Sequence, residues 1–116
     1  MRKYIDSFRY ALEGIVHGMK TEKHLRFHLF SAIIVIGLSM WTGLSQTEWF
    51  IVLLLIGGMF AFELINAAIE RVVDLVTTDY ALLAKQAKDL AAGAVLVYAF
   101  VSACIGLIIF IPKWWR

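Results

Sequence analysis

Charged positions fall in blocks along this chain, separated by long runs that hold none. Residues 27–47 contain no Asp, Glu, Lys or Arg, and their apolar centre Leu29–Leu44 runs into a Thr-Gly-Leu-Ser-Gln-Thr turn at 42–47. A second uncharged run, Trp49–Phe62, continues at helical spacing through Glu63-Leu-Ile-Asn-Ala-Ala-Ile-Glu-Arg-Val-Val-Asp74 and breaks at Thr77-Thr78-Asp79. A third run, Leu90–Pro112, spans about 35 Å at the helical rise, enough to cross a hydrocarbon core of ~30 Å. These runs predict transmembrane helices over 28–46, 49–75 and 89–111, the second with a charged extension at one end and the third ending in an aromatic, basic anchor, Pro112-Lys-Trp-Trp-Arg116. Residues before the first span differ in kind. Tyr4, Ile5, Phe8, Leu12, Ile15, Val16 and Met19 share one stripe of 3.6-residue period, with Arg2, Lys3, Arg9 and Glu13 away from it. That pattern predicts an in-plane surface helix over 1–20, ended by Gly18 and with Thr21 capping the helix that follows.

Composition changes the picture by naming the solvent. With 116 residues, 61% hydrophobic, a mean hydropathy of +0.78 and 17% charged, the chain has too much apolar surface to hide in one small water-soluble domain. The expected fold is an all-α integral membrane protein, a single domain over 1–116. A signal peptide needs a short basic region followed at once by an apolar stretch and a small-residue cleavage site, and the first residues show none of these. Cys104, the one cysteine, lies in an apolar run and reads as an inert buried thiol. Charge then sets orientation. Arg2, Lys3, Arg9, Lys20, Lys23, Arg26, Arg71, Lys85 and Lys88 fall on one side and Lys113 and Arg116 on the other, so the amino terminus and the 75–89 loop are expected in the cytoplasm. A net charge of +2 on such a chain reports topology and a preference for anionic lipid, with nothing that suggests nucleic acid.

The polar positions of the second span carry the chemistry. At 100° per residue, Glu63, Asn66, Glu70 and Asp74 project within a stripe roughly 80° wide on a helix otherwise built of Leu, Ile, Val and Ala. An acid at the bilayer centre costs about 2.5–3.5 kcal/mol, so three on one face are expected to turn from lipid toward other helices or a functional site. Counting about 20 residues of span from Trp49 places Glu63 and Asn66 just under the cytoplasmic headgroups, with Glu70 and Asp74 at the water interface. That depth suits Glu63 to accept the proton of a hydroxyl in the headgroup layer, and suits the wetter acids to hold a cation. Asn66 by itself reads as a residue that knits helices together.

Nearby groups complete the inventory for phosphoryl transfer, which needs carboxylates for Mg²⁺, cations on phosphate and a base on the attacking hydroxyl. Glu22 stands at the start of the first span and Lys88-Asp89 at the start of the third. Singly, each has a plainer reading as first-turn charge, snorkelling lysine and solvated partner. No GxxxxGK[ST] loop is present, and Gly57-Gly58 reads as close helix packing. His24 and His28 have metal-chelating i, i+4 spacing without a third ligand and read as interfacial, as does His17. Asp79, Tyr80 and Lys85 are exposed-loop candidates for touching a nucleotide, while Trp41, Trp49, Trp114 and Trp115 form the outer aromatic belt.

The run Glu63-Leu-Ile-Asn66-Ala-Ala-Ile-Glu70-Arg-Val-Val-Asp74, followed by Ala87-Lys88-Asp89-Leu-Ala-Ala-Gly-Ala-Val-Leu96, resembles the signature of the prokaryotic diacylglycerol kinase family. Ser7-Phe8-Arg9, Glu48-Trp49, Leu55-Ile56-Gly57-Gly58-Met59-Phe60 and the ending Gly106–Lys113 are most similar to its Gram-positive branch of undecaprenol kinases. The resemblance implies a lipid kinase of the bacterial plasma membrane, with its active site facing the cytoplasm, that phosphorylates undecaprenol from Mg-ATP. It implies Glu63 as the catalytic base, Glu22 and Glu70 as metal ligands, and Lys3, Tyr10, Glu22, Glu70, Asp79, Tyr80, Lys88 and Asp89 as nucleotide-binding positions. Lys3 stands where the family often has arginine, and Ala67 where it usually has Ser or Thr. Family members are homotrimers that share sites between subunits. Two alternatives accompany this reading. The acceptor alcohol is diacylglycerol, or the chain is a small proton-coupled transporter, although a transporter would want its acids nearer the midplane.

Overall fold

The computed structural model describes residues 2–115, in which four helices follow one another: α1 Arg2–Thr21, α2 Lys23–Thr42, α3 Gln46–Val76 and α4 Leu82–Trp114. The last three are each long and apolar enough to cross a membrane. At 31 and 33 residues, α3 and α4 run about 46–50 Å at the helical rise, so each projects beyond a ~30 Å core.

Turn chemistry explains where the helices stop. Gly43 adopts the left-handed conformation (φ 79°) and donates its N–H to the Ser39 carbonyl at 3.0 Å, closing α2 at Thr42 instead of 46. Ser45 then opens α3 with a capping box: its Oγ accepts from the Glu48 N–H at 3.2 Å, and Glu48 Oε1 accepts from the Ser45 N–H at 2.9 Å. This starts the second span at Gln46 instead of 49. The loop expected over 75–89 is correspondingly short, because Leu82-Leu-Ala-Lys-Gln-Ala-Lys88 are strong helix formers and α4 begins seven residues before Asp89. Pro112 lies inside the last turn of α4, where it offers no N–H to the Ile108 carbonyl; only two helical residues follow, so the lost bond is confined to the helix end at Trp114. Thr21 does not cap α2. Glu22 holds the cap position, while the Thr21 hydroxyl donates back to the His17 carbonyl at 2.8 Å.

α3 is the central element and packs against all the others, most extensively against α4. Tyr98 of α4 lies flat across Gly58, where a β-carbon would collide with its ring, and donates its hydroxyl to the Leu54 carbonyl at 3.0 Å. The neighbouring Gly57 has open space and plays no such part. Toward the outer end, Val52, Ile109 and Phe110 form a small core, and Trp114 Nε1 donates to Thr42 Oγ1 at 2.8 Å beside the Lys113–Glu48 ion pair at 2.9 Å. At the other end, Gly18 lets α1 rest on the α2–α3 pair, since a β-carbon there would stand 3.0 Å from Leu25 and 3.2 Å from Leu64. The result is a slab of 54 × 42 × 21 Å whose flanks are lined with exposed Leu, Val, Ile and Phe. Cys104, expected to be buried, is exposed on such a flank. A surface of this kind suits hydrocarbon, because every backbone group inside the spans is satisfied by its own helix.

Candidate functional site

α3 carries the stripe down its C-terminal half with a gradient of exposure. Glu63 is buried at 8% relative accessibility, Asn66 and Glu70 are half-buried, and Asp74 is exposed. Neighbouring helices supply partners for Glu63 and Asp74, while Glu70 and Asp89 find theirs on their own helices. His28 of α2 points its Nε2 at Glu63 Oε1 from 3.5 Å. Asn66 Nδ2 donates to Glu70 Oε1 at 3.3 Å, one turn along the same helix, and its Oδ1 is buried without a partner among the described residues. Lys88 of α4 donates to Asp74 Oδ1 at 2.6 Å, and Lys85 to Asp89 Oδ2 at 2.6 Å, an i, i+4 pair made possible by the early start of α4.

Glu22 comes to the same end of α3 from the α1–α2 junction, where Arg71 Nη1 donates to its Oε1 at 2.8 Å. The same guanidinium donates to Thr21 Oγ1 and to the Ala67 carbonyl, both at 3.1 Å. Glu22, Glu63, Asn66, Glu70, Asp74, Lys88 and Asp89 therefore belong to one end of the helix bundle. Lys3, Tyr10, Asp79 and Tyr80 do not join them: among the described residues no hydrogen bond or ion pair links them to the stripe, and Tyr80 is 81% exposed. His28 and Arg71 are the contributors that sequence reasoning missed. His28 was legible only as one of a histidine pair, and Arg71 only as one positive charge among many.

Two cavities adjoin this row. A slot of about 460 Å³ opens among α2, α3 and α4, with His28 at one end, Trp114 at the other, and Val35, Ile56, Met59 and Phe110 between. On α2 it runs from His28 to Leu38, about 15 Å at the helical rise and half the hydrocarbon thickness. A larger, more open groove of about 960 Å³ lies along α4, lined by Phe62, Gln86, Asp89, Gly93 and Tyr98. Both volumes are those of ligand-sized sites. Among the described residues no three His, Cys, Asp or Glu side chains converge into a self-sufficient metal centre. Carboxylate oxygens of the Glu22 and Glu70 type nevertheless fit Mg²⁺, which typically takes one or two carboxylates and fills its other positions with water and substrate phosphates.

A row of paired acids and cations at one end of three helices long and apolar enough to cross a membrane, beside an apolar slot, defines a multi-pass membrane protein. The chain belongs to the prokaryotic diacylglycerol kinase family, a family of lipid kinases, whose model matches residues 9–110. It is 48% identical over 113 residues to the undecaprenol kinase of Bacillus subtilis, covering 97% of this chain and 92% of that protein. It is 37% identical over 107 residues to a diacylglycerol kinase of Synechocystis (91% of this chain, 61% of that protein). It is 33% identical over 101 residues to one of Haemophilus influenzae (87% and 82%). Family membership decides between kinase and transporter in favour of the kinase.

Proposed function

We propose that this lipid kinase transfers the γ-phosphoryl group of Mg-ATP to the hydroxyl of undecaprenol at the cytoplasmic face of the bacterial plasma membrane. The observation that carries the reading is the burial of Glu63 beside His28, the residue that itself lines one end of an apolar slot among the three spans. A long isoprenoid laid in that slot brings its hydroxyl to the one acid of the stripe that is shielded from water. Glu63 accepts the hydroxyl proton as the oxygen attacks phosphorus, and His28 keeps the carboxylate from turning away. Glu22 and Glu70 would hold Mg²⁺, which when bound offsets charge on the ATP phosphates. Lys88, released from Asp74, stabilises the negative charge that develops on the transferring group. Asp79, Tyr80, Tyr10 and Lys3 close over the nucleotide from the surface helix and the 77–81 turn. The chain works as a homotrimer, in which neighbours cover the open side of each stripe. Purified protein in mixed micelles, given Mg-ATP and either undecaprenol or diacylglycerol at equal mole fraction, tests the acceptor directly: undecaprenol is expected to be phosphorylated with the higher kcat/KM, and the reverse preference overturns the choice of lipid.

A further inference from the structure

We propose that Arg71 is a nucleotide-phosphate-binding residue that Glu22 holds in reserve until the carboxylate passes to Mg²⁺; the inference rests on the reading of Glu22 as a metal ligand. Glu22 stands at the N-cap of α2 with extended backbone (φ −102°, ψ 110°), the position from which a short acid or hydroxyl would bond the helix amides, yet its side chain makes no capping bond. Its carboxylate turns instead to α3, where Oε1 accepts from Arg71 Nη1 at 2.8 Å. The helix end thus goes uncapped by Glu22 while the acid is neutralised by a guanidinium reaching over from the helix that carries the rest of the stripe.

Coordination of a divalent cation by Glu22 would weaken its hold on Arg71, since the metal draws on the same carboxylate charge and the two cations repel at close range. Once Glu22 changes partner, Arg71 keeps only the neutral Thr21 hydroxyl and Ala67 carbonyl. The nearest new anions are then the phosphates that arrive with the metal, and a guanidinium fork matches phosphate oxygens two at a time. Two other arginines are already engaged. Arg9 pairs with Asp6 and Glu13 along α1, and Arg26 is spent on the Met19 and Lys20 carbonyls that end it. Arg71 also lies at the same level of α3 as Glu70, the second proposed metal ligand, although the two side chains leave the helix about 100° apart. It supplies the fork that Lys3, a point charge, does not.

The test measures binding without any lipid acceptor, on the full-length protein in detergent. Calorimetry gives the Mg-ATP dissociation constant, and electron paramagnetic resonance gives the affinity for Mn²⁺ alone. Arg71→Gln is expected to weaken Mg-ATP about tenfold, the loss of one charged hydrogen-bonding group, while binding Mn²⁺ alone as well as or better than wild type because Glu22 is free. Arg71→Lys, which keeps the charge and loses the fork, should fall between wild type and the glutamine variant. Wild-type Mg-ATP affinity in Arg71→Gln overturns the proposal, as does a fall in Mn²⁺ affinity that matches the fall for Mg-ATP, the mark of a residue that merely props the α1–α2 junction. Should the glutamine variant not fold, unchanged Mg-ATP affinity in Arg71→Lys overturns it. A wild-type protein that bound no Mg-ATP would instead defeat the underlying kinase reading of the site.

Discussion

Replacing Glu63 by Gln probes the chemistry while barely disturbing the fold. The two side chains have nearly the same shape, and glutamine can still meet His28, which lies 3.5 Å from Glu63 Oε1. A neutral amide is also cheaper to bury than a carboxylate, so at a site only 8% exposed the melting temperature should hold or rise. What disappears is the acceptor for the lipid hydroxyl proton. Removing a positioned general base costs about 10²–10⁴ in rate, roughly 3–5 kcal/mol of barrier, and that loss belongs in kcat. Nucleotide affinity is set by groups one to three turns further along α3 and should stay within about twofold of wild type. Transfer of labelled γ-phosphate to undecaprenol in mixed micelles measures the first quantity, and calorimetric titration with Mg-ATP the second. Turnover within about threefold of wild type would refute the base assignment. A large loss of Mg-ATP affinity with little change in kcat would reassign Glu63 to the nucleotide.

Glu70→Ala removes a proposed metal ligand and is expected to raise the Mg²⁺ concentration for half-maximal activity about tenfold with little change in the lipid KM; an unaltered Mg²⁺ dependence would end that assignment. Gly58→Ala places a β-carbon into the Tyr98 ring and disturbs its bond to the Leu54 carbonyl, which should cost about 1–3 kcal/mol and lower the melting temperature in a fixed detergent; wild-type melting would show that α3 and α4 part without cost. Thr42→Val deletes the bond from Trp114 at the far end of the bundle, without altering the lining of the slot, and should cost about 1 kcal/mol of stability while leaving kcat unchanged, so a variant of normal stability and low kcat would contradict the separation of clamp from site.

The spans were legible because a bilayer demands something sequence displays directly, a run about 20 residues long without charge. The stripe was legible because helical periodicity puts Glu63, Asn66, Glu70 and Asp74 on one face whatever surrounds them. Helix ends were less so. The Ser45–Glu48 capping box was readable from the S-x-x-E spacing, but the start of α4 was hidden, since a helical segment of Lys, Gln, Ala and Asp outside the membrane has the polarity of a loop. The partners of the acids were hidden for a deeper reason. His28 meets Glu63 across 35 positions and Arg71 meets Glu22 across 49, and such pairings follow from how three helices rotate against one another, which no single helix encodes. Cys104 was misread on the same account: an apolar run says that a residue is in the membrane, and only packing says which of its faces meet protein.

The pairings also indicate how the site can accept a nucleotide. Glu22, Asp74 and Asp89 each already hold a basic side chain, so three of the five acids at this end are paired before Mg-ATP arrives. In the proposed reading, binding an anionic nucleotide with its cation is then an exchange of partners, acids passing to metal and bases to phosphate. The exchange is affordable where solvent screens the pairs. Lys88–Asp74 and Lys85–Asp89 are each at least 40% exposed on both side chains, and pairs of that kind are worth about 0–1 kcal/mol. Glu63 and His28, at 10% and 16%, are not so cheaply separated. The depth gradient along α3 therefore divides the labour of the proposed site: the wet end re-pairs with each nucleotide, and the dry end keeps its geometry for the proton.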